Sequence, residues 1–588
     1  MSASKLEDAA AAGRSDSNAD PRGKEEEIVS TSVVLTETSD RVPRLHAKTY
    51  LVIFTVGLIY FAQLINIVGA GSQTQAIASA LGGSDQSVWI SSPLVIGTVV
   101  LSPIVSQAAD YWGRRVFLVA LTLVGAVGSV IVARAHSMPM AIAGFTVTGL
   151  SYGAQPLLHA VTSEILPRRY RSWGQACDLI SNGLGGITAL LVGGALNRHG
   201  DPKNQGFRSF WYMSAVVYLV AAVLTFVLYR PPRTPRETSF TLRQKLAKLD
   251  WVGYALLAAG LVLFCLGLAW SDNPYPWSDV HTSAPVAVGL FLVVCLCAYE
   301  LVFKKDGMLH HDLFRNRNFA LALTCLFCEG FAFFAANQYF PFQVGVLYTP
   351  GDNLLVGVHF AVALIVSLPA AVLAGLYLAA TKRVRDITVL AFAFFVAFFV
   401  GMATTGPGDS TVAWGLPVVL GVGLGASLVS LITVAQFATP PSLIATTSGL
   451  ILCVRSLGGA IGLGVYNAMF VDKMNRLGDN VASAVLPMGL DPQDLGAFIG
   501  ALTAQDDGAL FRIPHVTGPM VGAAGQALLD TYASAFRDVW ITASCLAAVA
   551  MILSVFLKDT SKEFNMHIDN PVEKLEDLYV QKDGFATD

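Results

Sequence analysis

A glutamate lies deep inside a stretch of the sequence that is otherwise apolar. A charge in such a stretch is costly if the stretch crosses a membrane, so residues of this kind usually have a function. Glu329 follows Cys325 by one helical turn, and Asn337 lies on the broad edge of the same face. Loss of water disfavours the charged form of a carboxyl, which suits a group that binds and releases a proton. Glu329 is therefore the first candidate for proton coupling, and a protonated structural hydrogen-bond donor is the alternative.

Three further ionisable residues also lie within apolar stretches of the sequence. Asp178 is the second candidate for proton coupling, but it lies near a predicted helix end, where hydration or an ion pair with nearby arginines is an open alternative. His359 is the third candidate, since histidine titrates near physiological pH, and simple packing is its alternative. Arg455 must face protein or a water-filled cavity, where a partner carboxylate or an anionic substrate would neutralise it.

Polar and aromatic side chains in the same stretches could line a cavity for an amphipathic compound. Gln63 and Asn66 are neighbours on one face of a helix, and His159 follows Gln155 by one turn. All four could equally bond to an adjacent helix. The candidate substrate-binding residues are Gln63, Asn66, Gln155, His159, Asn182, Phe333, Asn337, Tyr339 and Arg455.

The segment from Ser106 to Arg115 reads Ser-Gln-Ala-Ala-Asp-Tyr-Trp-Gly-Arg-Arg. An acid at a helix end, a glycine that permits a tight turn and a basic pair can hold neighbouring helices in one conformation and release them in another. The candidate gating residues are therefore Asp110, Gly113, Arg114 and Arg115. The alternative is a basic anchor after a membrane span.

Membrane helices must position all of these residues. The 588 residues are 54% hydrophobic and only 13% charged, and the mean hydropathy is +0.57. Apolar stretches of about 20 residues, the length that crosses a bilayer, recur along nearly the whole chain. We predict fourteen spans at about 49–71, 88–109, 115–134, 138–161, 174–196, 209–229, 250–270, 282–303, 318–345, 354–380, 386–406, 411–437, 444–469 and 535–557.

The distribution of basic residues predicts the orientation. Lysine and arginine concentrate in the connectors after spans 2, 4, 6, 8 and 10, and the connectors after spans 1, 7, 9 and 11 have none. Because basic connectors stay on the cytosolic side, both termini are predicted to be cytosolic. The predicted parts are a disordered tail (1–48), an N-terminal six-helix bundle (49–229), a loop with two linker helices (230–317), a C-terminal six-helix bundle (318–557) with an external loop at about 471–534, and a second tail (558–588).

A weak internal repeat supports the two bundles. The glycine-rich segment 149–154 of span 4 resembles 421–426 of span 12, and 184–186 of span 5 resembles 457–459 of span 13, at offsets of 272 and 273 that follow from these numbers. Small residues let helices approach closely and slide, as a rocking transporter requires. The glycines predicted to lie between the bundles are Gly185, Gly186, Gly193, Gly194, Gly458 and Gly459.

With its Asp-Tyr-Trp-Gly-Arg-Arg loop after span 2, the chain resembles the major facilitator superfamily. Segments 166–171, 249–253, 313–319 and 454–462 narrow the resemblance to fourteen-span drug:proton antiporters, especially fungal trichothecene efflux pumps and, more distantly, siderophore transporters. The resemblance implies an all-α membrane protein with two six-helix bundles and two inserted helices. The chain departs from the pattern at Tyr111, at Leu190 in the antiporter motif of span 5, and at Phe145, where those antiporters have an arginine.

The sequence lacks the motifs that are typical of several other classes of protein. Cys325 and Cys328 form a pair within an apolar helix, without the second pair of a zinc site, and residues 310–312 have no spaced fourth ligand. We therefore expect no metal and no cofactor. No Walker A sequence or HExxH motif indicates an ATP-driven pump or a metalloprotease, and the scattered basic residues exclude a nucleic-acid partner.

We expect a secondary transporter and not an enzyme. The expected activity is export of a small amphipathic toxin, secondary metabolite or drug by proton antiport, and the alternative is uptake of a siderophore or other small molecule by proton symport. Fold alone does not decide direction. The expected setting is a monomer in the lipid bilayer of the cell membrane, with a vacuolar or vesicle membrane as the alternative.

Overall fold

The computed structural model describes residues 45–571, apart from gaps at 83–85, 87–88, 198–205, 233–234, 271–274, 305–306, 350–351, 504–506, 511, 515, 559 and 570. Most of both predicted tails lies outside the described residues. The described part of the chain is helical and contains no strand. This result confirms the all-α class.

Helices occupy all fourteen predicted spans. In chain order the spans are Ala47–Ser72, Ser92–Trp112, Arg114–Ala133, Met138–Leu150 with Gln155–Ile165, Arg171–Leu196, Gly206–Leu228, Trp251–Trp270, Val280–Val302, Arg317–Gln343, Asn353–Thr381, Val384–Ala403, Val412–Phe437, Ile444–Met474 and Gly518–Val555. Short helices at Thr74–Leu81, Pro235–Ser239, Leu242–Lys248, His311–Phe314, Leu477–Val485, Leu495–Thr503 and Asp507–Leu510 lie in the connectors. By length and composition, thirteen of the described helices could cross a membrane unbroken.

The fourth span is the exception because it is broken. Its two helices flank a tighter 3₁₀ turn at Ser151–Ala154. Pro156 follows this turn at the start of the second helix, and proline cannot donate the backbone hydrogen bond that a continuous helix needs. The side-chain amide of Gln63 in span 1 donates to the carbonyl of Ser151 at 3.0 Å. The break therefore exposes a backbone acceptor that a neighbouring span satisfies.

The spans form two bundles. Spans 1 to 6 pack with one another, and so do spans 9 to 14, whereas spans 7 and 8 pair with each other and span 7 lies against spans 2 and 13. Span 5 meets span 10, and span 2 meets span 13, between the bundles. The face at which spans 2, 4, 12 and 14 end is called the inner face here, and the sequence predicts that it is cytosolic.

Two of the six predicted interface glycines lie between the bundles. A Cβ atom at Gly186 would lie 2.8 Å from Leu364 of span 10, and one at Gly194 would lie 3.0 Å from Leu354. The prediction is wrong for the other four, which permit close packing within one bundle: Gly185 faces span 1, Gly193 faces Gln73, and Gly458 and Gly459 face span 9.

The region between spans 13 and 14 is more regular than the sequence indicates. Span 13 continues to Met474, and span 14 begins at Gly518 instead of about residue 535. Between them, Val481 and Phe498 are fully buried in an apolar core shared with Met520 of span 14. This segment forms a small helical layer at the outer end of the second bundle.

Candidate functional site

Glu329 of span 9 and Arg455 of span 13 form an ion pair. The Nε atom of Arg455 donates to one carboxylate oxygen at 2.5 Å, and its Nη2 atom donates to the other at 3.2 Å. The Glu329 side chain is fully buried, and the guanidinium lies 4.7 Å from the centre of the Phe333 ring. The two helices approach closely because Gly330 packs directly against the backbone of Arg455.

This pairing corrects one expectation from the sequence. Glu329 is not an isolated carboxyl, because both of its oxygens accept hydrogen bonds from the guanidinium of Arg455. Cys325, one helical turn before Glu329, does not share a polar surface with it. The Cys325 side chain packs toward span 14, where its thiol lies 3.7 Å from the carbonyl oxygen of Ala550. Opening the pair would leave a charge in an apolar interior, which is strongly unfavourable.

A second ionisable cluster lies between spans 4 and 5. The Nδ1 atom of His159 lies 2.7 Å from Oε1 of Gln175 and 3.4 Å from Oδ2 of Asp178. The hydroxyl of Thr162 donates to the other carboxylate oxygen of Asp178 at 3.0 Å. The Asp178 side chain is completely buried, and the His159 ring packs edge-on against Tyr60. Asp178 therefore has an imidazole, and not a guanidinium, as its ionisable partner in this cluster.

The second cluster connects to contacts that close the inner face. Gln175 donates from Nε2 to the Ser163 hydroxyl at 2.8 Å, and that hydroxyl donates to Oε1 of Gln436 in span 12 at 2.5 Å. Gln436 in turn donates to the carbonyl of His159 at 3.3 Å and to the hydroxyl of Ser448 in span 13. A short chain of hydrogen bonds thus joins the imidazole and carboxylate to the opposite bundle.

The predicted gating loop forms a second closing contact. Arg114 bonds to Glu164 of span 4 at 2.5 Å and to Asp110 at 3.3 Å. Thr446 of span 13 donates to the other oxygen of Asp110 at 3.0 Å, across the bundle boundary. Gly113 has φ +85°, a left-handed conformation that disfavours other residues. The loop therefore ties the two bundles together at their inner ends.

Arg115 does not take part in this gate. Its guanidinium bonds to the carbonyl of Phe226 at 2.6 Å and lies 4.9 Å from the centre of the Phe226 ring. Arg115 therefore anchors span 3 to span 6, as the alternative interpretation of the basic pair predicts.

Several predicted cavity residues instead hold helices together. Asn66 bonds to Ser214 of span 6 at 2.6 Å, and Gln63 bonds to the broken span 4. Tyr339 packs on Tyr466, and the ring of His359 packs on Trp414 at 3.7 Å with its Nδ1 bonded to its own helix. The cavity prediction for Gln63, Asn66 and Tyr339, and the proton-coupling prediction for His359, are therefore not supported by their contacts.

Tyr60 of span 1 is a central residue that sequence reasoning missed. Its hydroxyl lies near the side chains of Asn182 and Gln155, and Arg455 and Asp178 are both in its surroundings. Asn182 and Asn337 are half-buried. Tyr60 therefore lies between the two ionisable clusters, together with the cavity candidates Gln155 and Asn182.

Sequence reasoning also missed three other residues of these contacts at the inner face: Glu164, Gln175 and Gln436. One signal was present in the sequence, because Ser163 of span 4 and Gln436 of span 12 are 273 residues apart, within one residue of the offset of 272 that relates these two spans. Equivalent positions of two related bundles meet where the bundles face each other. The repeat could therefore have indicated this contact.

The paired bundles of long apolar helices define a multi-pass α-helical membrane protein. Residues 49–463 match the family described as the Major Facilitator Superfamily, a family of transporters, and the chain therefore belongs to it.

Among named relatives, an MFS-type transporter of the acurin A biosynthesis cluster in Aspergillus aculeatus is 25% identical over 92% of this chain and 95% of its own length. A trichothecene efflux pump of Fusarium sporotrichioides is 23% identical over 94% and 92% of the two chains, and an efflux pump of Gibberella moniliformis is 24% identical over 90% and 92%.

Solved structures show the same fold. The proton:xylose symporter XylE superposes with a TM-score of 0.55 at 11% identity, covering 87% of this chain and 97% of the symporter. A bacterial homologue of the lysosomal transporter Spinster, in an inward-facing conformation, superposes with a TM-score of 0.52 at 14% identity, covering 91% and 99%.

Proposed function

We propose that this protein exports a small amphipathic organic compound, such as a toxin or secondary metabolite, in exchange for protons by alternating access. The observation that carries the proposal is the hydrogen-bonded chain from the buried His159–Asp178 cluster to Gln436 of the opposite bundle. Coupling of proton binding to transport requires a proton site that is joined to the contacts between the bundles. A proton can drive a conformational change only if it binds the two conformations of the protein with different affinity.

Asp178 is the preferred proton acceptor. Glu329 is held by a guanidinium, whose charge is fixed, whereas Asp178 lies beside an imidazole, a type of group that can itself bind a proton. Protonation of this cluster would rearrange the hydrogen bonds of Gln175, whose Oε1 atom contacts Nδ1 of the His159 ring and whose Nε2 atom donates to the Ser163 hydroxyl at the contact between bundles. Proton binding at the cluster and opening of the inner face would therefore be linked.

The substrate is proposed to bind between the bundles, near the midplane, around Tyr60, Gln155, Asn182, Phe333 and Arg455. Aromatic faces and amide groups together suit a compound with both apolar and polar parts. The proposed direction of transport, out of the cell, is supported by the relatives that are named efflux pumps.

The domain bounds, the oligomeric state and the membrane location are part of the same proposal. We assign residues 49–229 and 318–557 to the two rocking bundles and 230–317 to the connecting loop and linker helices. The protein would work as a monomer in the cell membrane, with both termini in the cytosol.

The test is accumulation of labelled hydrophobic toxins and ferric siderophores in cells with and without the protein, each with and without a protonophore. Lower accumulation of one toxin, reversed by the protonophore, is the expected result. Higher siderophore accumulation would contradict export and make proton-driven uptake the function. An accumulation difference that the protonophore leaves unchanged would contradict proton antiport.

A further inference from the structure

The chain after span 14 returns to the inner face of the opposite bundle. The backbone N–H of Arg168, in the connector between spans 4 and 5, donates to the carbonyl of His567 at 2.9 Å, and the N–H of Arg169 donates to the carbonyl of Asn565 at 2.8 Å. Two such bonds align residues 565–567 along the connector. We call residues 561–569 the C-terminal strap.

Charge pairs strengthen this contact. The guanidinium of Arg168 bonds to the carboxylate of Asp569 at 2.9 Å and to that of Glu563 at 3.3 Å, and Arg171 also pairs with Asp569. The side chains of Asp569 and Arg171 are only 4% and 2% exposed. Removing one partner of an ion pair that is shielded from water to this degree is costly, because the remaining charge is left without compensation.

The strap is also fixed to the second bundle. Phe564 is buried and packs edge-on against Phe437 at the inner end of span 12, with ring centres 4.6 Å apart. Just before the strap, the backbone of Lys558 exchanges two hydrogen bonds with the side chain of Asn318 at the start of span 9. The strap thus bridges the two bundles at the inner face.

We propose that the C-terminal strap is a latch that stabilises the conformation in which the inner face is closed. Opening that face must move the connector of Arg168 away from span 12, so the strap must then release either Asp569 or Phe564. The inference rests on the alternating access of the proposed function. Contacts made in only one of two states shift the equilibrium toward that state.

The latch can be tested on the full-length protein by the distance between the bundles. Spin labels at Lys48→Cys and Arg385→Cys report on exposed inner positions of the first and second bundles, after the partly exposed Cys177, Cys295, Cys297 and Cys545 are changed to serine. The distance distribution is measured in lipid nanodiscs without added substrate. Asp569→Asn removes the ion pairs of Asp569 with Arg168 and Arg171, and Phe564→Ala removes the apolar anchor. Lys562→Gln changes an exposed charge of the same strap.

We expect Asp569→Asn and Phe564→Ala each to raise the ratio of inner-open to inner-closed protein by about fivefold or more, and Lys562→Gln to leave it unchanged. Distributions that match the unsubstituted protein in both strap variants would overturn the latch. An equal shift in all three variants would also overturn it, because the effect would then come from surface charge in general. Because no transport is measured, failure of the latch is distinguishable from failure of export.

Discussion

The two buried ionisable clusters differ in what surrounds the carboxyl. Glu329 and Arg455 belong to one bundle and neutralise each other through two hydrogen bonds. Asp178 and His159 belong to the other bundle and are joined through Gln175 to the contact between bundles. A guanidinium keeps its charge, whereas an imidazole is a group that can take up and release a proton. The comparison separates a pair suited to stability and substrate binding from a cluster suited to coupling.

The largest expected effect follows from opening the first cluster. Glu329→Gln leaves Arg455 unpaired in an apolar environment and should lower the free energy of unfolding by about 3 kcal/mol or more. Thermal unfolding of the purified protein measures this. The double variant Glu329→Gln with Arg455→Gln should recover most of the loss. Equal stability of the single variant and the unsubstituted protein would contradict the assigned role of the pair.

The second prediction concerns coupling. Asp178→Asn keeps the shape and a hydrogen-bond acceptor for Thr162 but cannot exchange a proton. Proton-driven transport in proteoliposomes should fall at least about tenfold, while exchange of substrate between the two sides continues. The matched control is Asp538→Asn, which breaks a partly exposed pair with Lys473 near the outer end. Retained proton dependence in Asp178→Asn would return the coupling role to Glu329.

The third prediction tests the link between the second cluster and the gate. Gln436→Leu removes the hydrogen bonds to Ser163, His159 and Ser448 and should shift the equilibrium about fivefold toward an open inner face. The inter-bundle distance measurement reports this shift. Thr433→Val is the control, since its hydroxyl bonds within its own helix in the same span. If both variants behave alike, the glutamine contact does not close the gate.

The smallest effect is expected outside both clusters. Arg115→Ala removes an anchor to Phe226, and an exposed contact of this kind contributes less than about 1 kcal/mol. The transport rate should stay within twofold of the unsubstituted protein. A large loss of transport, with normal abundance in the membrane, would show that both arginines of the loop belong to the gate.

Much of the architecture could be predicted because membrane spans leave a local signal. Hydropathy fixed fourteen spans within a few residues at most boundaries, since a bilayer requires about 20 consecutive apolar residues for each helix. The long last helix was missed because the outer part of Gly518–Val555 contains polar residues and extends beyond the apolar stretch. The break in span 4 coincides with Pro156, although proline in a membrane helix does not always interrupt it.

The sequence by itself determined the helical class and the order of the spans, and it singled out Asp110 and Arg114 in the loop after span 2 and Glu329, Asp178 and Arg455 as unusual charges within spans. Only the tertiary structure decided their partners. Glu329 and Arg455 are 126 residues apart, and the strap reaches Arg168 from 401 residues away. The physical reason is that hydropathy depends on each segment alone, whereas a partner depends on which helix faces pack together, and small residues such as Gly330 set that packing through contacts distant in the chain.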